Sequence, residues 1–322
     1  MVRRRKAGPA GGDTAGGDTA VGDTAARDAS GGDGARQTRH VPLAAERITY
    51  GYTDRPIGTD LDLLVPEGSF TVIVGPNACG KSTLLRVLSR LLRPTAGRVV
   101  LDGRSIAEQP SREVAKRLGL LPQTSIAPEG ISVTDLVARG RFPYQSALRQ
   151  WSQADERAVQ EALAATATAE LADRMVDELS GGQRQRVWVA MVLAQQTPLL
   201  LLDEPTTFLD IAHQLDLLEL FADLNLNTGH TIVAVLHDLN HAARYADRVI
   251  AMRDGQVVAT GSPREVFTAE RVEQIFDLPA QVIDDPVTGT PLIVPDLRRR
   301  RPAAAAAADQ PAEAVQAAQS VP

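Results

Sequence analysis

The sequence predicts an α/β fold with a mainly parallel core sheet covered on both faces. Two observations predict it. Short apolar, β-branched or leucine-rich runs recur at 70–74, 199–202 and 231–236, and strands buried on both faces have that unalternating character. Between them lie stretches with helical apolar spacing, and strands that alternate with helices assemble into parallel sheets.

Residues 70–74 read as a strand. The stretch 81–92 follows as a helix, with Leu84, Leu85, Val87, Leu88, Leu91 and Leu92 at helical spacing and Pro94 and Gly97 closing it. Residues 98–101 and 118–121 read as further strands. Ser152 with Asp155 has the pattern of a capping box, opening a helix with Val159, Ala162 and Leu163 on one face. The strand at 199–202 precedes a helix over 212–228 that Gly229 ends, and 231–236 is a strand again. Asp254-Gly255 between 248–252 and 256–260 signals a hairpin. From about 125 to 180 strand signals are weak, and a helical insertion is expected.

The chain has 322 residues, 43% of them hydrophobic, enough for a sizeable core. Its net charge of -6 argues against general nucleic-acid binding. The single cysteine, Cys79, rules out an intrachain disulfide and fits a reducing compartment. No apolar stretch follows the basic N-terminus, so no secretory signal is expected. No run approaches the length of a bilayer crossing, so a membrane link would come through a partner. Residues 1–40 include the five-residue blocks GGDTA, GGDTA, VGDTA, ARDAS and GGDGA. With almost no large apolar side chains, this stretch is expected to be a disordered tail. The same is expected of 298–322, a basic run from Arg298 to Arg301 and then Ala, Pro and Gln. The folded domain is expected over 41–297.

Gly75-Pro76-Asn77-Ala78-Cys79-Gly80-Lys81-Ser82 fits G-x-x-x-x-G-K-[ST], with a strand before it and a helix after. Its glycines let backbone N–H groups curl around a phosphate. The helix start, with Ser82 and Thr83, adds a positive dipole end. Lys81 brings charge to the β- and γ-phosphates of ATP, and Ser82 offers a hydroxyl to Mg²⁺. The strand at 199–202 runs into Asp203-Glu204, at the strand end where ligands sit in open α/β sheets. Asp203 suits the Mg²⁺ shell, and Glu204 suits a general base for the attacking water. Leu179-Ser180-Gly181-Gly182-Gln183 presents a hydroxyl and backbone N–H groups at a helix start, a second anion site. Two anion sites with one γ-phosphate to share suggest a head-to-tail dimer.

This last run resembles the signature of the ABC ATPases, and over roughly residues 43–294 the other motifs stand in that family's order. The resemblance implies a P-loop NTPase domain with an N-terminal antiparallel β portion. It implies that Gln123, after Leu120-Leu121-Pro122, is the glutamine that senses Mg²⁺ and the permease. Thr206-Thr207-Phe208-Leu209-Asp210 resembles the D-loop, His237 the switch histidine at the γ-phosphate, and Tyr52 the aromatic residue that stacks on adenine. In such a family the signature of one subunit closes on the ATP held by the other. Pro128 to Val133, Gly140 to Tyr144, Ala190 to Gln195, Val235 to Asn240 and Asp285 to Gly289 resemble the iron–siderophore importers in particular, the ferric dicitrate and ferric catecholate systems above all.

The resemblance therefore implies an ATP- and Mg²⁺-dependent ATPase acting as a homodimer. Its partners would be transmembrane permease subunits at the cytoplasmic face of the membrane and, indirectly, a siderophore-binding protein, with no nucleic acid. Haem, cobalamin or another metal chelate is the alternative cargo. A non-transport ABC ATPase is disfavoured by the single phosphate loop, the single signature and the lack of sustained heptads. Ala78 departs from the family, which usually has glycine there, and a positive φ would cost its β-carbon about 1 kcal/mol. Cys79, near a helix N-terminus and Lys81, is expected to have a lowered thiol pKa. Phe142 and Tyr144 are expected to form an exposed pair facing the permease. His40, His213, His230 and His241 show no metal-ligand arrangement.

Overall fold

The computed structural model describes residues 42–52, 55–123, 126–146 and 151–296. The two expected tails, 1–40 and 298–322, lie outside the described residues. The chain begins with β1 (Leu43–Tyr52), β2 (Arg55–Val65), β3 (Phe70–Val74), α1 (Lys81–Leu88), β4 (Ala96–Leu101) and β5 (Arg104–Ser105). It continues through α2 (Ser111–Arg117), β6 (Leu118–Leu121), α3 (Val133–Ala138), α4 (Gln153–Ala165), α5 (Gly181–Ala194), β7 (Leu199–Asp203) and α6 (Ile211–Thr228). It then runs through β8 (Thr231–Val235), α7 (Leu239–Tyr245), β9 (Arg248–Arg253), β10 (Gln256–Gly261), α8 (Pro263–Val266), α9 (Ala269–Phe276), β11 (Ala280–Asp284) and β12 (Pro291–Pro295).

The central sheet has the order β10-β9-β3-β8-β7-β6. All its pairings are parallel except β9–β10. β3, β7 and β8 are buried at every residue, which is why their sequences show no polar alternation. Their side chains nevertheless sort by period two. Phe70, Val72, Leu200, Leu202, Ile232 and Ala234 pack with the helices from α3 to α9. Ile73, Leu199, Leu201, Val233 and Val235 pack with α1 and the second sheet. Each Val, Leu, Ile or Phe among them contributes about 1.5–3 kcal/mol by leaving water. The parallel register brings the C-terminal ends of β3, β7 and β8 to one edge, and the loops that leave there build the site.

The second sheet, β2-β1-β4-β5, is the expected antiparallel β portion. Its β1–β2 pairing is interrupted by register shifts between Ala45 and Gly51, a stretch in which Arg47 has φ 45. The β9–β10 hairpin turns on Asp254 (φ 49) and Gly255 (φ 77), as the dipeptide predicts. α6 ends at Gly229 with φ 72. α1 is shorter than its apolar spacing suggests. Arg90 takes φ 66 and the Leu92 N–H donates back to the Arg86 carbonyl at 3.0 Å, so the helix stops at Leu88.

The insertion is helical, with α3, α4 and short 3₁₀ turns. The capping box of α4 is present: the Asp155 N–H donates to Ser152 Oγ at 3.3 Å, and the Ser152 N–H to Asp155 Oδ2 at 3.0 Å. Arg141 fastens the insertion to the end of α5. Its Nε donates to Asp155 Oδ1 at 2.9 Å and its guanidinium also donates to the Ala194 carbonyl at 2.7 Å. The guanidinium carbon stands 4.0 Å from the ring centroid of Tyr144. Both partners of this ion pair are buried. Burial alone would raise the Asp155 carboxyl, but hydrogen bonds from Ser152 and Arg141 outweigh it and hold the group below its usual range.

Candidate active site

β3 delivers the chain into the phosphate loop. At Gly75 a β-carbon would lie 2.3 Å from the Met252 carbonyl oxygen of β9, so only glycine fits. Gly80, with φ 103, turns the loop into α1. Ala78 sits at φ 63, so the left-handed conformation expected of this position is realised with a β-carbon in place. Lys81 is 5% exposed, and its Nζ donates to the carbonyls of Gly75 at 2.8 Å and Pro76 at 2.9 Å. It therefore bridges the loop it belongs to.

Asp203 closes β7 and is buried, with Ser82 Oγ donating to its Oδ1 at 2.8 Å. Burial pushes its carboxyl pKa up, against the opposing Ser82 hydrogen bond. A hydroxyl and a carboxylate side by side, with the Gln123 amide nearby, are hard oxygen donors of the kind Mg²⁺ takes. The donor set and the loop that only glycine can close both fit a magnesium nucleotide.

Glu204 follows in a left-handed conformation, φ 53. Its Oε1 lies 2.6 Å from Nε2 of His237. Its Oε2 accepts from Gln123 Nε2 at 2.8 Å and from Thr207 Oγ1 at 3.4 Å. A left-handed residue held by partners from three loops is strain of the kind found at functional positions. A cavity of about 550 Å³ gathers Asn77, Ala78, Gly80, Lys81, Ser82, Thr83, Gln123, Glu204 and His237.

Ser180, Gly181, Gly182 and Gln183 are not brought to this cavity. Ser180 is exposed and caps α5, with Gln183 completing a capping box. Gly181 and Gly182 lie against Phe208 and Leu209, where added β-carbons would meet them at 3.7 and 3.2 Å. Asp210 also stands apart, capping α6 through the His213 N–H at 2.9 Å. Tyr52, 46% exposed, accepts a hydrogen bond from Arg86 at 2.9 Å. Two expectations need correction. The Cys79 thiol is raised, not lowered: it is buried, and desolvation outweighs Lys81 and the backbone N–H groups. Phe142 is 60% exposed, but Tyr144 is half-buried against Arg141, so they are not an exposed pair. One lining residue was missed: Ile57 of β2, whose Cγ2 lies 2.6 Å from where a Gly80 β-carbon would stand.

A loop with this backbone, opening onto a hydroxyl hydrogen-bonded to a buried carboxylate, places the chain among the phosphate-loop nucleotide-binding proteins. Comparison with known proteins narrows the class. A family model described as ABC transporter matches residues 59–207. The ferric enterobactin transport ATP-binding protein FepC of Escherichia coli (strain K12) is 55% identical over 263 residues, 82% of this chain and 97% of that one. The probable siderophore transport system ATP-binding protein YusV of Bacillus subtilis (strain 168) is 52% identical over 258 residues, 80% of this chain and 94% of that one. The dimeric structure of a bacterial ABC transporter cassette superposes with a TM-score of 0.62 at 29% identity, covering 69% of this chain and 99% of that one. The chain belongs to the ABC transporter family, as one of its ATPase subunits. Among the described residues no helix is long and apolar enough to cross a membrane.

Proposed function

We propose that this ATPase energises uptake of an iron–siderophore complex through a membrane permease, working from the cytoplasmic face as a head-to-tail pair of copies. The cargo reading rests on the similarity to FepC and YusV across nearly their whole lengths. The hydrolytic reading rests on one observation, the Glu204–His237 contact at 2.6 Å across the cavity from the phosphate loop.

In this reading Lys81 exchanges its two loop carbonyls for the β- and γ-phosphates. The backbone N–H groups of 77–82 surround the same oxygens. Tyr52 stacks on adenine. Ser82, Asp203 and Gln123 would hold Mg²⁺, which when bound offsets charge on the phosphates. Glu204 accepts the proton of the attacking water, and His237 hydrogen-bonds to the γ-phosphate. Ser180, Gly181 and Gly182 lie outside the chain's own cavity because they serve the partner copy's nucleotide, where a hydroxyl at a helix start stabilises an anion. Asp210 lies on that same shared face. A siderophore-binding protein would present the cargo from the other side of the membrane.

The test is uptake of ⁵⁵Fe-labelled siderophores by a strain lacking this chain. Loss of uptake, restored by the parent but not by Lys81→Ala, supports the reading. Unchanged iron uptake together with lost haem or cobalamin uptake would move the cargo to another chelate.

A further inference from the structure

Two sequence segments that the ATPase mechanism leaves unused meet in the fold. One is Asp238-Leu239-Asn240, directly after His237. The other is the β11–β12 hairpin, which turns at 285–290. Asn240 grips β12 from both sides of its amide. The Ile293 N–H donates to Asn240 Oδ1 at 2.7 Å, and Asn240 Nδ2 donates to the Ile293 carbonyl at 3.4 Å.

The hairpin is itself firmly placed. Ile293 is 4% exposed and lies in the main core, with Leu239 packed against the same cluster. Asp285 caps the turn, accepting from the N–H groups of Val287 at 2.8 Å and Thr288 at 3.2 Å. Arg264 ties the hairpin to α8 through Asp284 at 2.9 Å and through the Gly289 carbonyl.

The histidine, by contrast, has little packing of its own. Its side chain is 46% exposed. Its aim at Glu204 must therefore come from the backbone that carries it. That backbone enters α7 through Asp238, whose Oδ1 accepts from the N–H groups of Asn240 at 2.8 Å and His241 at 2.9 Å. Asp238, the residue beside His237, is thus tied to the residue that holds the hairpin. A short helix of seven residues would not hold this register by itself.

We propose that Asn240 is a positioning residue for hydrolysis: by locking the first turn of α7 to β12, it fixes His237 against Glu204 and makes the C-terminal hairpin part of the catalytic apparatus. The proposal rests on the hydrolytic role of His237. Misplacement of a reacting group by about 1 Å can cost about 10²-fold, and the loss here would fall on turnover rather than on nucleotide binding.

The experiment is steady-state ATPase kinetics on the full chain. Asn240→Ala should lower kcat about tenfold or more while KM for ATP stays within about twofold. Asn240→Asp still accepts from the Ile293 N–H and should keep kcat within about threefold. In a His237→Ala background, Asn240→Ala should cost nothing further, because both act through one group. Should Asn240→Ala fail to fold, Arg264→Ala loosens the hairpin at its far end. It should give a smaller loss of kcat, again absent in the His237→Ala background. Parental kcat in Asn240→Ala, or losses that multiply in the double variant, would overturn the proposal. Parental kcat in His237→Ala alone would instead sink the role of the histidine on which it rests.

Discussion

Nε2 of His237, carried just past the end of β8, lies 2.6 Å from Oε1 of Glu204, carried just past the end of β7. The other carboxylate oxygen accepts from Gln123 and Thr207. In the single chain Oε2 already accepts from two donors, and Gln123 must turn away before that oxygen can take a proton from water, while His237 keeps its place on Oε1. That ties hydrolysis to movement of the loop carrying Gln123, the one expected to sense the permease.

Asp203 illustrates a site that costs stability. Burial raises its carboxyl above the unfolded value. The folded state thus binds its proton more tightly than the unfolded one. The destabilisation is present in full at neutral pH and is relieved as pH falls through the folded value. Asp203→Asn should raise Tm by a few degrees near neutral pH, with the gap closing in acid, while ATP hydrolysis is lost. Calorimetry across pH, beside an ATPase assay, checks both halves. A lower Tm at neutral pH would contradict the account.

The Arg141–Asp155 pair makes the opposite prediction. Arg141→Met leaves a buried carboxylate without its cation and should cost about 3–5 kcal/mol in urea unfolding. Asp155 is held below its unfolded value, which is about 3.9. Its contribution is therefore present above that value and is lost as pH falls through the lower folded one. The stability gap between the parent and Asp155→Asn should accordingly shrink toward acid pH.

Much of this was legible in the sequence, and the failures have physical causes. β3, β7 and β8 are apolar but for Thr71, Asp203 and Thr231 because both faces are buried, and such runs can be read directly. Asp254-Gly255 and Gly229 announce positive φ, and the structure has it. β1 and β2 were expected only as an antiparallel β portion implied by the resemblance, not strand by strand, because irregular register at Arg47 (φ 45) and Asp60 (φ 49) breaks their alternation. Ile57 of β2 was lost with them. The extent of α1 was overread because Leu91 and Leu92 fit the spacing, while the turn at Arg90 has no residue signal. For Cys79 the sequence displays the lysine and the helix start, which lower a thiol pKa, but not the burial that raises it. The roles expected of Gln123 and His237 come from motif order and that of Glu204 from its place at a strand end, whereas their convergence is visible only in three dimensions.

The thiol correction is testable. Cys79 should react slowly with iodoacetamide at neutral pH, with the rate rising as pH passes above the usual thiol range. Intact-mass spectrometry on folded and urea-unfolded protein reads this out, since Cys79 is the only cysteine. Reaction of the folded protein at or above the unfolded rate would show a lowered, accessible thiolate instead.

Phe142 and Tyr144 should now separate. Phe142→Ser removes a 60% exposed ring and should leave folding and basal ATPase activity intact while abolishing siderophore-dependent uptake. Tyr144→Ser removes the ring against Arg141 and should cost about 1 kcal/mol of stability. Parental uptake in Phe142→Ser would remove this side chain from the permease-facing surface.

The central claim is that Glu204 is the base and that two copies share each nucleotide. Glu204→Gln keeps the shape of the side chain but not its ability to take a proton, and loss of a general base costs about 10²–10⁴-fold. Lys81, Ser82 and Asp203 still hold the phosphates and metal, and Ser180 of the second copy still closes on them. The direct measurement is light scattering on Glu204→Gln with and without Mg²⁺–ATP, beside its hydrolysis rate. The account predicts slow hydrolysis and an ATP-dependent dimer, which a further Ser180→Arg substitution dissolves. Hydrolysis at the parent rate, or tight ATP binding by a variant that stays monomeric at high concentration, would contradict it.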